Sequence, residues 1–321
     1  MRTYWLMTAI LGLLLAAGGV HAQQNYPTKP IRLIVPFPPG GSLDIVARIL
    51  AQKLTETFKQ SVVVDNRPGG GGTLGTEIAV RANPDGYTMV LMSASYATNA
   101  ALYKLPYDPL NDVAPIALIG ESGFVVTLHP SLPVKSIKEL IAYDKANPGK
   151  LNYGTGGTGS STHFATELFN QMADTKMTHV PYKGVGPALN ELLGGQIQLI
   201  VGTMPGTIPL VKSNRLRGIA VTTAKRSSTV PDIPTVAETV PDYEAVQWYG
   251  GLGPKALPKD IAARWNNEIN RILQLPDVKE RMAADGMELS GGPPQRFREM
   301  LIRDIARWQR VVKMANIKVS E

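Results

Sequence analysis

The sequence predicts an α/β protein of two domains, each built around a largely parallel sheet. Short apolar, β-branched segments alternate with segments of helical periodicity, which is the pattern of right-handed βαβ units. This alternation occurs in two series, and each series opens with a strand, a glycine-rich turn and a helix. The length of 321 residues is sufficient for two domains of ordinary size.

The first series occupies the amino-terminal third of the chain. Its apolar segments are short and rich in Val, Ile, Leu and Met, so we predict strands. After the first glycine-rich turn, Leu43, Val46 and Leu50 recur at helical spacing. The elements predicted in this series are strands at 31–37, 61–65, 87–92 and 124–128, and helices at 42–58 and 76–82.

The second series begins after a helix whose start and end both have local signals. Ser136-Ile-Lys-Glu139 predicts a capping box, and Pro148-Gly149 predicts the end of that helix. Beyond it, strands and helices alternate again, and three helical segments close the chain. The elements predicted here are strands at 150–153, 178–181, 197–201, 216–222 and 245–248, and helices at 163–173, 187–193, 260–273, 276–285 and 294–314.

The amino terminus predicts a secretory signal peptide at residues 1–22. Arg2 precedes an apolar run, and Val20-His21-Ala22 is typical of a cleavage site after Ala22. A transmembrane anchor is the alternative, but the run is short for a span and lacks a stop-transfer cluster. We therefore expect an exported mature chain that begins near Gln23.

The composition excludes several classes of protein. The chain has no cysteine, which excludes disulfides, thiol catalysis and cysteine-ligated zinc. It has 33 Lys and Arg residues against 26 Asp and Glu, but the basic residues are scattered, so we expect no nucleic-acid partner. This positive balance is compatible with weak attraction of an anionic ligand.

The sequence also lacks the common catalytic and metal-binding motifs. It contains no G-x-S-x-G and no G-K-[ST] motif, and its histidines lack metal-ligand spacing. We therefore predict no enzyme activity, no catalytic residues, no metal site and no cofactor. An exported hydrolase is the alternative, with Ser160 or Ser161 as nucleophile and His163 as base.

The two glycine-rich turns predict a site for an anion. The first turn, PFPPGGS at residues 36–42, precedes a helix whose amino terminus would attract a carboxylate or phosphate, with Ser42 as N-cap. The alternative is an ordinary connection between a strand and a helix. Ligands of open α/β sheets lie at such turns, so two turns facing each other would form one site.

The second turn, YGTGGTGSST at residues 153–162, contains G-x-G-x-x-G and four hydroxyl residues. The following strand ends in HVPYK without the acidic residue that a dinucleotide ribose requires, which argues against a dinucleotide site. A third glycine-rich loop at residues 69–72 is expected to be a structural or hinge-side loop, and the alternative is that it adds backbone amides to the cleft. The stretch from Ser93 to Tyr96 follows a strand and is a candidate for lining the cleft.

Five segments of the chain resemble the Bug family, also called TctC-like, the periplasmic substrate-binding proteins of tripartite tricarboxylate transporters. The resemblance covers nearly the whole mature chain in order. The segments are YPTKPIRLIVPFPPGGSLDIVAR, VVVDNRPGGGGTLGTEIAVRANPDGYT, LNYGTGGTGSSTHFATELF, HVPYKGVGPALNELLGGQIQL and VPDIPTVAE.

The resemblance implies a type II Venus-flytrap fold with two chain crossings. The expected domains are residues 23–124 together with 226–321, and residues 125–225. It also implies a periplasmic monomer that binds a small organic carboxylate and delivers it to the membrane permease subunits of a tripartite tricarboxylate transporter. A periplasmic sensor that presents its ligand to a membrane sensor kinase is the alternative.

The family's binding residues map onto loops that follow strands in both domains. Many relatives carry an acidic residue near the end of the strand at 197–201, where this chain has VGTM, and this departure argues against an amino-acid ligand. The stretch from Lys183 to Ala188 is expected to line the far side of the cleft. The ligand-binding residues implied are Phe37, Gly40, Gly41, Ser42, Ser93, Tyr96, Thr155, Gly157, Thr158, Ser160, Ser161, Gly202 and Thr203.

Overall fold

The computed structural model describes residues 26–315. The predicted signal peptide lies outside this range. Within it, no helix is both long enough and apolar enough to cross a membrane. The strands are β1 (Ile31–Val35), β2 (Val62–Asn66), β3 (Thr88–Ser93), β4 (Val113–Leu128), β5 (Asn152–Thr155), β6 (Thr178–Pro181), β7 (Leu199–Thr203), β8 (Arg217–Val221), β9 (Val246–Pro254) and β10 (Met287–Leu289).

Helices follow most of the strands, as expected for βαβ units. Two short 3-10 turns, Gly70–Gly72 and Val236–Glu238, complete the regular structure of the described residues. The helices are α1 (Ser42–Phe58), α2 (Thr73–Val80), α3 (Ser95–Leu102), α4 (Ile137–Ala146), α5 (Ser161–Ala173), α6 (Val185–Leu193), α7 (Met204–Lys212), α8 (Lys259–Ile272), α9 (Pro276–Ala284) and α10 (Pro294–Ala315).

The strands form two lobes that share β4. In the first lobe the order is β2-β1-β3-β9-β4, with β10 also paired to β4. In the second lobe β4 continues beside β7, which leads to β5 and β6, and β4 also pairs with β8. Strands β1, β2 and β3 are parallel, as are β5, β6 and β7, which confirms the predicted α/β class.

Each lobe has its own apolar core. In the first lobe, Leu43, Leu50 and Leu54 of α1 pack with strand residues and with Trp265 of α8. In the second, Phe124 and Tyr153 pack with Phe169 of α5. This burial of the periodic face explains why α1 has the bounds that the sequence predicts, residues 42–58.

The chain crosses between the lobes at two strands. Strand β4 pairs with β9 up to Gly123 and with β7 from Phe124 onward. The second crossing is at the start of β9, because Val236, Val240 and Tyr243 still belong to the core of the second lobe. The predicted boundary between residues 225 and 226 therefore does not coincide with the packing, since the segment up to Ala245 lies in the second lobe.

Further elements differ from the sequence prediction. Strand β4 starts at Val113 rather than at residue 124, and strand β10 and helices α3 and α7 are not among the predicted elements. The capping box is also incomplete. The Ser136 hydroxyl accepts a hydrogen bond from the Glu139 amide at 3.2 Å, but the Glu139 carboxylate accepts one from the amide of Lys135 instead of Ser136.

Candidate ligand-binding cleft

A narrow cleft lies between the two lobes and is bordered by both glycine-rich turns. Its volume of about 30 Å³ is enough for one or two water molecules. Of the described residues that line it, none carries a charged side chain. They are Phe37, Pro38, Gly41, Ser42, Leu43, Ser93, Ser95, Gly156, Ser160, Ser161, Thr162, Val185, Thr203 and Gln247.

Five helices begin at this cleft. Helices α1, α3 and α5 start at Ser42, Ser95 and Ser161. Helix α6 starts at Val185, and α7 starts directly after Thr203. The first turn of a helix leaves N–H groups without intrahelical partners and carries a partial positive charge. Each of these helices therefore contributes a partial positive charge to the cleft wall through its backbone dipoles, and none of the described lining residues is a Lys or Arg.

The first turn is held in place by Asp44. Its Oδ2 atom accepts hydrogen bonds from the Gly40 amide at 3.0 Å and from Arg48 Nε at 2.9 Å, while Oδ1 accepts one from Asn66 Nδ2 at 3.0 Å. Burial raises the pKa of Asp44, but these hydrogen bonds outweigh it and the net pKa is lowered. The carboxylate thus has a structural role and stays ionised at pH 7.

Ser42 is not the N-cap that the sequence predicted. Gly41 occupies that position with an extended backbone, and Ser42 is the first residue of α1. Its side chain is buried and lines the cleft. The hydroxyl of Ser42 is therefore placed to contact a ligand instead of capping the helix.

The second turn is organised mainly by its own hydroxyl groups. Ser160 is the N-cap of α5, where its Oγ accepts a hydrogen bond from the His163 amide at 3.3 Å. The Gly156 amide donates to Thr162 Oγ1 at 2.9 Å, and the Gly157 amide donates to Thr155 Oγ1 at 3.2 Å. These amides bond within the turn, which differs from the expectation that they point at a ligand.

Two histidines support the second turn from behind. The rings of His163 and His179 stack with centroids 4.1 Å apart. His163 Nδ1 accepts a hydrogen bond from the Gly159 amide at 3.4 Å, and His179 Nε2 lies 2.7 Å from Thr155 Oγ1. Burial lowers the pKa of each imidazole to about 4, so both are neutral at pH 7.

Two buried polar side chains, Thr203 and Gln247, line the cleft. Thr203 Oγ1 has no hydrogen-bond partner among the described residues. Tyr249 is buried behind this wall. Burial raises its pKa to about 12, while side-chain hydrogen bonding with Ser42, Ser122 and Gln247 acts in the opposite direction.

The structure brings about half of the sequence-predicted residues to the cleft wall. Thr158 and Gly157 lie beside it, in an outer groove of about 200 Å³ that shares Phe37 and Gly156 with the cleft and is also lined by the loop at residues 69–72. The predicted residues on the wall itself are Phe37, Gly41, Ser42, Ser93, Ser160, Ser161 and Thr203.

Four further predicted residues line neither the cleft nor the outer groove. Tyr96 is buried in the core of the first lobe, where its hydroxyl donates to the Pro109 carbonyl at 2.7 Å. Gly40 is exposed and bonds to Asp44, Thr155 lies behind the second turn, and Gly202 packs on Thr207. The side chains of consecutive residues in a helix point about 100° apart. Ser95 of α3 therefore faces the cleft, while the next residue, Tyr96, points into the core of the first lobe.

Sequence reasoning missed Gln247, and the implied set of binding residues also omits Thr162, Val185 and Ser95, the last of which lies in the stretch from Ser93 to Tyr96 that was expected to line the cleft. Thr162 lies within the quoted second turn, and Val185 lies within the stretch expected on the far side. Gln247 had no signal, because it sits on a crossing strand that is distant in sequence from both turns.

Comparisons with known proteins agree with this architecture. The model of the tripartite tricarboxylate transporter family receptor, TctC, matches residues 46–317. Protein BugT of Bordetella pertussis is 36% identical over 320 residues, which are 98% of this chain and 98% of that protein.

Solved structures of similar proteins superpose closely on the described fold. Periplasmic binding protein BugD matches with a TM-score of 0.89 at 33% identity, over 91% of this chain and 99% of that chain. Rhodopseudomonas palustris Rpa4515 with adipate matches with a TM-score of 0.89 at 36% identity, over 91% of this chain and 99% of that chain. MatC (Rpa3494) from the same organism, with bound malate, has a TM-score of 0.86 at 29% identity, over 89% of this chain and 100% of that chain.

These matches confirm the resemblance stated from the sequence, including the two-domain periplasmic-binding-protein fold. The chain belongs to the TctC family of tripartite tricarboxylate transporter receptors.

Proposed function

We propose that this protein is a periplasmic solute-binding protein that captures a small organic carboxylate in the cleft and delivers it to a tripartite tricarboxylate transporter. The observation that carries the proposal is the convergence of five helix amino termini on a cleft with no charged side chain among its described lining residues. Helix amino termini and hydroxyl groups bind carboxylates well. Two relatives were solved with adipate and with malate, both of which are carboxylates.

The polarity of the cleft argues against other ligand classes. An ammonium group or a metal cation would require an acidic side chain at the wall, and none of the described lining residues is acidic. Asp44 does not fill this role, because its carboxylate is bonded to Arg48, Asn66 and Gly40. An anion held by neutral dipoles is the ligand that fits.

The size of the cleft implies that the lobes separate to admit a ligand. A volume of about 30 Å³ is smaller than a dicarboxylate of four or more carbon atoms requires. The two crossing strands, β4 and β9, provide a hinge for this motion. The proposal includes no reaction, since the ring of His163 bonds to the Gly159 amide and only its backbone amide bonds to Ser160.

A thermal-shift screen of ligand-stripped protein tests capture of a carboxylate. The panel contains mono-, di- and tricarboxylic acids and aromatic acids, with a sugar and a cation as controls. At about 100 times Kd, a ligand should stabilise the fold by about 2.7 kcal/mol. This corresponds to a rise in Tm of on the order of 2 °C per kcal/mol for a chain of this size. A shift with the sugar or the cation but with no acid would contradict the proposal.

Delivery is tested with the permease subunits in proteoliposomes. We expect uptake of the identified acid only when the liganded protein is added outside the vesicles. If uptake is absent while the liganded protein activates a membrane sensor kinase, the transport role is wrong and the sensor alternative replaces it.

A further inference from the structure

We propose that helix α3 and the glycine-rich loop at residues 69–72 hold the two lobes together in the closed form through contacts with the backbone of the second turn. We call Thr98, Asn99, Tyr103 and this loop the α3 latch. The latch sets the rate at which a bound ligand leaves, because the lobes separate only when its contacts break. The part of this inference that concerns ligands rests on the proposed function, whereas the part that concerns closure does not.

Two hydroxyl groups of the latch donate hydrogen bonds across the boundary between the lobes. Thr98 Oγ1 donates to the Gly159 carbonyl at 2.6 Å, and the Tyr103 hydroxyl donates to the Thr158 carbonyl at 3.1 Å. Burial raises the pKa of Tyr103, so its phenol is neutral at pH 7 and retains the proton that it donates. Both acceptors are main-chain atoms, so these bonds do not depend on the side chains of the second turn.

The contacts follow one face of α3. Residues three or four positions apart lie on the same side of a helix, and Ser95, Thr98 and Asn99 have this spacing. At the start of the helix, Ser95 Oγ accepts a hydrogen bond from the Ser161 amide at 3.4 Å. The second turn therefore contacts α3 from its first residue, beside the cleft, to Tyr103, directly after its end.

Gly159 allows this close approach. Its φ of +83° is one that side chains disfavour, and an added Cβ would lie 2.5 Å from Asn99 Oδ1 and 2.6 Å from Tyr103 Cε2. The backbone of the second turn therefore fits against two side chains of the latch because residue 159 has no side chain of its own. This contact gives the last glycine of the G-x-G-x-x-G pattern a structural reason that involves no dinucleotide.

The loop at residues 69–72 contacts the same part of the second turn. Asn99 Nδ2 donates to the Gly71 carbonyl at 2.9 Å, which fixes the loop against α3. A Cβ at Gly71 would lie 2.7 Å from the Thr158 carbonyl oxygen, the atom that also accepts from Tyr103. The loop and the helix therefore hold the same peptide segment of the second lobe.

The latch does not form the wall of the cleft. Neither Thr98 nor Asn99 lines the cleft, and Tyr103 lines only the outer groove. Its contacts therefore stabilise closure without selecting the ligand. A hydrogen bond that is exchanged for bonds to water contributes about two- to tenfold to an equilibrium constant, so the loss of one should speed ligand release by about that factor.

Thr98→Val and Tyr103→Phe each remove one of the hydrogen bonds between the lobes with little change of shape. Small-angle X-ray scattering of the ligand-stripped variants measures closure, since separated lobes have a larger radius of gyration. We expect both variants to have a larger radius than the unsubstituted protein. Thr166→Val is the matched control for Thr98→Val, because Thr166 is also buried in a helix but its hydroxyl donates to the Thr162 carbonyl of the same helix, at 2.8 Å.

Stopped-flow measurements of ligand dissociation test the kinetic part, with adipate and malate as probes. We expect either latch variant to raise the dissociation rate of both probes by the same factor, about two- to tenfold. Thr166→Val should leave these rates unchanged. The ratio of the Kd values of the two probes should be the same in every variant.

The outcomes separate this inference from the proposed function. An unchanged radius or unchanged dissociation rates in both latch variants would mean that the latch does not hold the lobes, while carboxylate capture stands. A change in the ratio of the two Kd values would also contradict the inference, because the side chains would then act on the ligand itself. If neither the probes nor any other acid binds, the proposed function has failed, and the scattering result alone decides whether the latch exists.

Discussion

Ser42 and Ser160 occupy equivalent turns but have different roles. Ser160 caps α5 by accepting a hydrogen bond from the His163 amide and also lies 3.0 Å from Thr162 Oγ1. Ser42 follows the N-cap Gly41 and lines the cleft. The sequence predicts both serines at the site, but it cannot distinguish the two roles, because the start of a helix is uncertain by one or two residues.

We expect Ser42→Ala and Ser160→Ala to differ in their effect on stability. Both remove a hydroxyl from the cleft, and a hydrogen bond to a carboxylate contributes about 1.5–3 kcal/mol, or roughly tenfold or more in Kd. Only Ser160→Ala should also lower the free energy of unfolding, by about 1 kcal/mol, because it removes an N-cap. Calorimetry and urea unfolding of the apo proteins measure the two effects. Unchanged affinity in both variants would place the carboxylate elsewhere.

The stacked histidines make stability depend on pH. Each has a folded-state pKa of about 4, lowered by burial, against about 6.5 in the unfolded chain. The unfolded state therefore binds protons first, so their contribution to stability is complete above about pH 6.5 and declines as the pH falls toward 4. His163→Asn, which retains an acceptor near the Gly159 amide, should show a shallower decline between pH 7 and 4.5. Urea unfolding curves over this range that are parallel for variant and wild type would contradict this account.

Contacts between elements bring the two turns together. A Cβ at Gly184, just before α6, would lie 2.6 Å from Pro38 Cδ on the opposite lobe, and one at Gly186 would lie 3.3 Å from the Pro39 carbonyl oxygen. The Thr98 hydroxyl of α3 also donates to the Gly159 carbonyl at 2.6 Å. Small residues at this junction let the lobes approach closely, and any added side chain opposes that approach.

Gly184→Ala should therefore weaken ligand binding by preventing full closure. Its backbone φ of +149° also disfavours a side chain, so some stability will be lost in any case. Gly149→Ala is the matched control, since Gly149 has a φ of +73° but no neighbouring atom within 4 Å of the added Cβ. We expect both variants to melt earlier and only Gly184→Ala to raise Kd in calorimetry. Equal Kd values would mean that this contact does not close the cleft.

The elements that the sequence predicts best are those with strong local patterns. Helix α1 has a periodic apolar face and was predicted with its observed bounds. The first part of β4 was missed because it contains Pro115, at a point where the pairing with β9 is irregular. Helix α7 was missed because Pro205 lies at its start and Pro209 in its interior, and proline normally argues against a helix.

At the scale of the whole molecule, positive charge and the ligand site are separate. The chain has a net charge of +7, yet none of the described cleft residues is charged. Under the proposed function, the overall field would attract an anion toward the protein, while dipoles inside the cleft would hold it. The lobe boundary near residue 245 could not be predicted, because the segment before it lacks periodicity and packs through isolated residues such as Val236 and Tyr243.

This separation predicts different salt effects on association and dissociation. Raising NaCl from 20 to 500 mM screens the surface field, so the association rate of a carboxylate should fall severalfold. The dissociation rate should change little, because the contacts in the cleft are buried. Stopped-flow fluorescence measures both rates, with a neutral amide analogue of the ligand as control. A salt effect confined to dissociation would contradict this division.

The position of β9 between β3 and β4 has a consequence for the order of folding. Strand β9 lies between β3 and β4, because Gly250 pairs with Met92 on one side and with Leu118 on the other. The sheet of the first lobe therefore remains incomplete until β9 has been synthesised. The second lobe is built from one continuous segment, so it can assemble as soon as that segment is available. One edge of β3 remains unpaired during synthesis, because its partner β9 is synthesised much later. A chain that leaves the ribosome in this order stays incomplete for most of its synthesis, which favours passage across a membrane before folding.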